Sequence, residues 1–260
     1  MIWLAASALV VAAGGVLLWY ACSVPSSQVF GRALVRGPAD GNQIALTFDD
    51  GPTAPSTEQI LDILRDRQIP AAFFVCGRNA ERHPELLRRI SAEGHAIGNH
   101  TYSHLFPYLR TSAQMAQEID RAQQVIEKIT GQRPLLFRPP YGARWFGLYP
   151  VLRERGLKVV QWSDTGYDWK EDEDSIVRLS LEKLGPGSII LLHDGLEGYE
   201  GFWRQTLRRW RSEQSTAGST EAPGAAPPNR TCVVRALPRI IEGARKAGFR
   251  FVPIEDFISD

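Results

Sequence analysis

A chain of 260 residues is long enough for one large domain or two small ones with an ample hydrophobic core. Its 30 basic and 29 acidic side chains give a net charge of +1, which excludes the broad positive surface typical of nucleic-acid-binding proteins. The three cysteines (Cys22, Cys76 and Cys232) are too few for a disulfide scaffold, and neither a CxxC pair nor a zinc-finger spacing occurs.

The N-terminal segment, MIWLAASALVVAAGGVLLWYACS, contains no charged side chain. About 20 apolar residues suffice to cross a bilayer. A signal peptide normally carries a basic residue before its apolar core, and none occurs here. We therefore expect residues 1–23 to be a single transmembrane anchor helix, with a cleaved signal or a lipoprotein site at Cys22 as the alternatives. Residues 24–40 follow as a predicted linker.

From residue 41 to residue 260, apolar segments of strand length alternate with amphipathic helical segments. The predicted strands are 44–49, 71–76, 95–99, 135–138, 158–163, 188–193 and 250–254. The predicted helices are 56–66, 84–92, 113–129, 174–184 and 236–247. This alternation predicts an α/β domain of parallel βα units, either an open doubly wound sheet or a closed barrel. In both architectures, functional side chains gather at the C-terminal ends of strands.

One segment interrupts the alternation. Residues 212–230 are rich in Ser, Thr, Ala, Pro and Gly, which predicts an inserted flexible loop. Before this loop, Trp203, Leu207 and Trp210 recur at helical spacing. We expect a helix packed on the domain there, with contact to a glycan or a membrane surface as the alternative.

Polar side chains follow several of the predicted strands. Asp49 and Asp50 end the first strand, and two adjacent carboxylates repel each other unless a cation or a proton lies nearby. His100 and His104 follow the third strand, and on a helical turn a spacing of four directs both imidazoles the same way. Two imidazoles and one carboxylate form a three-ligand metal site with positions open for water and substrate.

Arg138 and His193 end two later strands and help to separate the candidate enzyme classes. A glycosidase could use Asp49 and Asp50 as its carboxylate pair, but the histidine pair would then have no purpose. A non-haem iron oxygenase also uses two histidines and one carboxylate, but it would not require Asp49, Arg138 and His193. A non-catalytic, membrane-tethered glycan-binding module would have lost a base, an acid or a ligand, and candidates for all three are present.

Five ordered motifs carry a family resemblance: TFDDGP, HTYSH, RPPYG, the DW of Asp168–Trp169, and LLH. Together they resemble the polysaccharide deacetylases, the NodB-homology family also called carbohydrate esterase family 4. The resemblance covers residues 41–255 apart from the inserted loop. It implies a distorted (β/α)7 barrel and metal-dependent hydrolysis of N-acetyl groups on N-acetylglucosamine units of peptidoglycan, chitin or related glycans. Related barrels that hydrolyse formamides, acetylxylan esters or cyclic amides remain alternatives.

The resemblance also implies roles for the first group of site residues. Asp50, His100 and His104 match the metal ligands, for Zn²⁺ in the first place and for Co²⁺, Mn²⁺ or Ni²⁺ as alternatives. Asp49 matches the catalytic base, and Arg138 matches the residue that keeps this base ionised and oriented.

The remaining motif residues match the acid side of the site and the acetyl pocket. His193 matches the general acid, and Asp168 matches the carboxylate that tunes it. Tyr141 matches the position whose backbone N–H helps to bind the oxyanion. Trp169 and Leu191 match residues that line the acetyl pocket.

The fourth motif departs from the family pattern. The family has two aspartates three residues apart before Trp, whereas SDTGYDW places Asp164 and Asp168 four apart. Asp164 is therefore out of register, and the resemblance gives it no role.

The location follows from the implied partner, an acetylated glycan of the cell envelope. We expect a membrane-anchored protein with its catalytic domain outside the cytoplasm, or a secreted one if the N-terminal segment is cleaved. Arg32 and Arg36 favour the opposite orientation, because the positive-inside rule would keep them in the cytoplasm. The sequence predicts no oligomeric state.

Overall fold

The computed structural model describes residues 2–195 and 230–258, with side chains from residue 12 onward. The helix predicted around Trp203 and all of the predicted loop except Arg230 lie outside these residues.

Eight short strands form one sheet in the described part of the chain. They are β1 Gln43–Asp49, β2 Ala72–Val75, β3 Ala96–Asn99, β4 Leu136–Phe137, β5 Lys158–Val159, β6 Asp164–Thr165, β7 Ile189–His193 and β8 Arg250–Phe251. The helices of the described residues are α1 Ile2–Ser23, α2 Ser56–Arg67, α3 Gly77–Arg82, α4 Pro84–Ala92, α5 Ser112–Thr130, α6 Leu148–Glu154, α7 Glu173–Glu182 and α8 Thr231–Lys246. The five predicted helices of the domain are present, whereas α3 and α6 were not predicted.

The sheet is parallel throughout, as the alternation of elements predicted. Its strand order is β5-β4-β3-β2-β1-β7-β6, and β8 pairs with the start of β1. Of the strand predicted over 158–163, only Lys158–Val159 forms a strand, β5, and β6 at the other edge lies beyond it and was not predicted. β5 ends at Val159, and the carbonyls of Val160 and Gln161 accept hydrogen bonds from the Arg138 guanidinium instead, at 3.2 and 2.9 Å. The sheet is therefore a distorted, incompletely closed barrel.

The segment predicted as a linker contacts the open side of this barrel. Leu34 forms a parallel bridge with Val160 and is hydrogen-bonded to Val159 and Gln161, at 2.8 and 2.7 Å. Three residues later, the backbone N–H of Gly37 donates to the carbonyl of Gly187 at 2.8 Å. These bonds cover backbone groups of the sheet edge that would otherwise be unpaired.

The strand β1 is buried on both faces, which explains its continuous apolar sequence. Leu46 and Phe48 face the main core, which also contains apolar residues of α2 and α8. Ala45 belongs to a second cluster on the other face. Because side chains alternate along a strand, Thr47 and Asp49 lie on that same face and point into the barrel.

The N-terminal helix α1 ends against the α/β domain. The carbonyl of Cys22 accepts hydrogen bonds from the backbone N–H of Arg144 and the hydroxyl of Tyr108, at 3.1 and 2.6 Å. The buried guanidinium of Arg144 donates to the carbonyls of Ser27, at 2.6 Å, and Val24. Within the described residues, no helix has the length and apolar character needed to cross a membrane. The structure thus gives no support to the predicted transmembrane anchor.

Candidate active site

The adjacent carboxylates of Asp49 and Asp50 point in different directions at the end of β1. Asp49 is the last strand residue, and Asp50 adopts a left-handed backbone conformation with φ 75°. The turn is held from two sides, because Asn79 donates to the carbonyl of Asp50 at 2.7 Å and Asp194 accepts from the N–H of Gly51 at 3.1 Å. Each carboxylate is therefore free to contact a separate group of residues.

Asp50 lies with His100 and His104 in a buried cluster that could hold a metal ion. Asp50 Oδ1 is 3.3 Å from His100 Nε2 and 3.1 Å from His104 Nε2. The ligand atoms all lie within 4.8 Å of one another, and Asp50 Oδ1 accepts no hydrogen bond of standard geometry from the described residues. Two imidazole nitrogens and a buried carboxylate oxygen without a hydrogen-bond donor fit a divalent cation.

Hydrogen bonding and burial prepare the imidazoles of this cluster for metal binding. His100 Nδ1 lies 2.7 Å from the carbonyl of Arg138, which can only accept, so Nδ1 carries a proton and Nε2 is the nitrogen that faces Asp50. Burial lowers the pKa of His104 to about 4 against the opposing charge of Asp50. Burial raises the pKa of Asp50, but the electrostatic influence of His104, His100 and His193 outweighs it, and the net pKa falls below the ordinary value.

The spacing of His100 and His104 was interpreted as that of a helical turn, but the two residues do not lie on one. Both residues are in the loop after β3, where Thr101 and His104 have positive φ values of 67° and 53°. The side chain of Asn99 accepts a hydrogen bond from the N–H of Thr101 at 2.8 Å, which stabilises this bend. Two left-handed residues, rather than helical periodicity, bring the imidazoles together.

Asp49 forms a buried ion pair with Arg138. Arg138 Nη1 lies 2.7 Å from Asp49 Oδ1 and 2.9 Å from the hydroxyl of Thr47, and the arginine has no exposed surface. The guanidinium also lies 4.0 Å from the centre of the Phe74 ring. Burial lowers the pKa of Arg138 and the charge of Asp49 opposes this. The second carboxylate oxygen of Asp49 is 3.9 Å from His100 Nε2, beside the candidate metal cluster.

His193 forms a second charged pair, with Asp168. His193 Nδ1 lies 2.8 Å from Asp168 Oδ1, and the backbone N–H of His193 donates to Asp168 Oδ2 at 2.9 Å. Burial lowers the pKa of His193, but the charge and hydrogen bond of Asp168 outweigh it and raise the pKa above its ordinary value. Burial raises the pKa of Asp168, yet the same pairing brings it below its ordinary value.

Aromatic and apolar side chains border the two charged pairs. The ring of Tyr141 lies 4.7 Å from the ring of His104, and Tyr141 has a positive φ of 60°. The ring of Trp169 lies 5.2 Å from that of His193 in a T-shaped arrangement. Leu191 is buried in β7, two residues before His193 and on the same face of the strand.

Asp164 lies apart from this constellation. Its buried carboxylate accepts from the hydroxyl of Ser163 at 2.6 Å and lies 3.4 Å from Arg36, so it contacts the N-terminal segment rather than His193.

Two buried residues next to the site were missed by the sequence analysis. Asp194 accepts hydrogen bonds from the N–H of Gly51 and, at 2.6 Å, from the hydroxyl of Thr57, and burial raises its pKa to about 7. Its place directly after His193 in LLHDG was a signal that could have been used. Arg230 lies against Asp168, at 3.5 Å. It ends a polar segment of 19 residues without any local pattern that marks it.

Several known proteins are similar to this chain in sequence. A family model described as polysaccharide deacetylase matches residues 36–160. A peptidoglycan-N-acetylglucosamine deacetylase of Bacillus cereus is 38% identical over 164 residues, which cover 63% of this chain and 60% of the relative. A chitooligosaccharide deacetylase of Azorhizobium caulinodans is 38% identical over 170 residues, which cover 65% of this chain and 80% of the relative.

The fold has a counterpart among solved structures. The crystal structure of the Bc1960 peptidoglycan N-acetylglucosamine deacetylase matches with a TM-score of 0.72 and 31% identity, over 87% of this chain and 92% of the other. The resemblance predicted from the five motifs is thus confirmed. This chain belongs to the polysaccharide deacetylase family.

Proposed function

We propose that this protein is a metal-dependent hydrolase that removes N-acetyl groups from a polysaccharide containing N-acetylglucosamine, such as peptidoglycan or chitin. One observation carries the proposal. A buried Asp–His–His cluster lies between two charged pairs, Asp49–Arg138 and His193–Asp168. Relatives named as deacetylases of peptidoglycan and of chitooligosaccharides support the same class of substrate.

Asp50, His100 and His104 would hold the metal, with Zn²⁺ as the first candidate and Co²⁺, Mn²⁺ or Ni²⁺ as alternatives. When bound, a divalent cation supplies Lewis-acid chemistry that makes a bound water more acidic and polarises the amide carbonyl. The hydrogen bond from His100 Nδ1 to the Arg138 carbonyl orients the imidazole, so that Nε2 is the nitrogen offered to the metal.

Asp49 is the proposed general base, which accepts the proton of the attacking water. Its Oδ1 is held by Arg138 at 2.7 Å, while Oδ2 remains beside the cluster, 3.9 Å from His100 Nε2. The guanidinium fixes the orientation of the carboxylate and places a positive charge beside it. Asp49 is therefore held with one oxygen on Arg138 and the other beside the cluster, as a base for this water requires.

His193 is the proposed general acid, which protonates the leaving amine. The carboxylate of Asp168 accepts from Nδ1, so the proton that is transferred is the one on Nε2. The raised pKa of His193 favours the imidazolium, which is the form that can donate this proton. The acid is paired with a carboxylate, Asp168, and the base with a guanidinium, Arg138, so the two groups have opposite electrostatic environments.

Tyr141, Trp169 and Leu191 would form the acetyl pocket and its oxyanion site. Trp169 borders His193 and Tyr141 borders His104, so aromatic rings flank the metal cluster and the acid. The positive φ of Tyr141 is uncommon for a residue with a side chain, and such conformations cluster at functional sites. We propose that the backbone N–H of Tyr141 donates to the developing oxyanion, because a positioned donor there stabilises the transition state.

Release of acetate, or of formate from a formylated substrate, by the protein tests the proposal. The panel contains peptidoglycan, chitooligosaccharides, acetylxylan and a formylated amide, because a deformylase or an acetylxylan esterase of the same family would prefer the last two. Acetate from an N-acetylated glycan, lost in His193→Ala, is the expected result. Binding to the glycan without product from any substrate would instead establish a non-catalytic glycan-binding module.

The location follows from this proposal. We place the catalytic domain outside the cytoplasm, because acetylated glycans lie in the cell envelope, with the protein membrane-anchored or secreted. Fractionation of cells into cytoplasm, membrane and medium tests it, and recovery only in the cytoplasm would overturn it.

A further inference from the structure

We propose that Arg230 is a positioning residue for the acid side of the active site, because it fixes the carboxylate that orients His193. This inference rests on the deacetylase reaction proposed above. Arg230 directly precedes α8 and is only 6% exposed. It lies in none of the five family motifs.

Three contacts hold the guanidinium beside the His193–Asp168 pair, two to Asp168 and one to Gly195. Arg230 Nη1 lies 3.3 Å from the backbone carbonyl of Asp168 and 3.5 Å from Asp168 Oδ2. Arg230 Nε donates to the carbonyl of Gly195 at 2.6 Å. One planar group thus joins the loop that carries Asp168 to the end of β7, two residues after His193.

These contacts complete the set of donors around the carboxylate of Asp168. Oδ1 accepts from the His193 ring at 2.8 Å, and Oδ2 accepts from the His193 backbone at 2.9 Å and faces Arg230. A carboxylate held at both oxygens cannot rotate away from the imidazole, so Nδ1 remains its donor. Removing a residue that orients a functional side chain in this way typically lowers affinity or activity by about 10–100-fold.

Gly195 extends the effect of Arg230 towards the metal cluster. A Cβ atom at Gly195 would collide with the backbone carbonyl of Asp50, so the chain at Gly195 lies directly against the turn that carries this ligand. By holding the carbonyl of Gly195, Arg230 fixes the separation between the acid and the turn at Asp50. A shift of about 1 Å in such a separation can reduce the rate on the order of 100-fold.

Chemical rescue separates a positioning role from a purely structural one. Arg230→Ala should lower kcat by about 10–100-fold with little change in KM, because the contacts orient a catalytic group rather than the substrate. Added guanidinium should restore a large part of kcat by occupying the vacated site. Arg144→Ala is the matched control, since Arg144 is also buried and donates to the backbone carbonyls of Ser27 and Val24 rather than to Asp168. Added guanidinium should not increase the kcat of Arg144→Ala.

A second readout needs no substrate. The Nδ1 proton of His193, bonded to Asp168, should give a downfield NMR signal that broadens or shifts in Arg230→Ala and persists in Arg144→Ala. Arg230→Lys keeps the positive charge but lacks the planar guanidinium, so it should give an intermediate kcat. It replaces Arg230→Ala in these measurements if the alanine variant does not fold.

Two results would overturn the proposal. The first is a kcat for Arg230→Ala within about threefold of the parent at an unchanged Tm. The second is a large loss of kcat that added guanidinium does not restore, while the Nδ1 signal of His193 stays unchanged. The failure of the deacetylase proposal is distinguishable, because the parent protein would then release no acetate while the Nδ1 signal still depended on Arg230.

Discussion

Asp49 and Asp50 are neighbours in the chain, yet their carboxylates contact different partners. Asp49 Oδ1 is 2.7 Å from Arg138 Nη1, whereas Asp50 Oδ1 is 3.1 Å from His104 Nε2. The left-handed conformation of Asp50, with φ 75°, separates the two groups at the point where β1 ends. A single turn thereby gives a candidate metal ligand and a candidate base from consecutive residues.

The first prediction concerns the metal. His104→Ala should lose the bound cation and most of the activity, because only three side chains form the cluster found among the described residues. Metal content by atomic spectroscopy, before and after chelation and Zn²⁺ addition, measures this. His83→Ala is the control, since His83 is partly exposed beside Glu85, and it should keep one equivalent. Full activity of the chelated parent protein would contradict the metal requirement.

The second prediction separates the roles of the adjacent aspartates. Asp49→Asn should retain the metal and lose on the order of 10²–10⁴-fold in kcat, because an amide cannot accept the proton of the attacking water. Its amide oxygen can still accept from Arg138, so we expect a folded protein, and Tm measured beside kcat checks this. A variant that loses metal and activity together would reverse the roles that we assign to Asp49 and Asp50.

The third prediction concerns the pH dependence of the acid. Asp168 raises the pKa of His193, so Asp168→Asn should lower that pKa. The acid must be protonated, and activity is lost as the pH rises through its pKa. The basic limb of the rate profile should therefore move to lower pH, with a kcat reduced by roughly 10–100-fold.

Asp164→Asn is the control for this shift. The structure buries Asp164 against Ser163 and Arg36, so the substitution should reduce Tm without moving the basic limb. An Asp164 variant with a shifted basic limb at equal stability would show that the fourth motif is aligned incorrectly.

The fourth prediction tests the close packing between the two strand ends. Gly195→Ala should weaken metal binding, although Gly195 supplies no ligand, because its new Cβ would collide with the backbone of Asp50. Isothermal titration with Zn²⁺ measures the affinity. Gly41→Ala is the matched control, since its nearest neighbouring atom is 4.0 Å away. Equal affinities in the two variants would contradict the packing argument.

Several features of the protein could be predicted from the sequence because they depend on local patterns. Continuous apolar runs such as β1 predicted a buried parallel sheet, and helical periodicity predicted α2, α4, α5, α7 and α8. The side chains at strand ends predicted a metal cluster, because parallel strands bring their C-terminal ends to one edge. The chemistry of carboxylate and imidazole then restricted which residues could bind a cation.

Other features were decided only by the tertiary structure. The strand predicted over 158–163 ends already at Val159, and the carbonyls of Val160 and Gln161 accept hydrogen bonds from the distant guanidinium of Arg138. Leu34 pairs with Val160 at the open side of the barrel, and Arg230 reaches Asp168 from 62 residues away in the chain. No local pattern records such contacts, because their partners are far apart in sequence and their free energy is gained only when the folded chain brings them together.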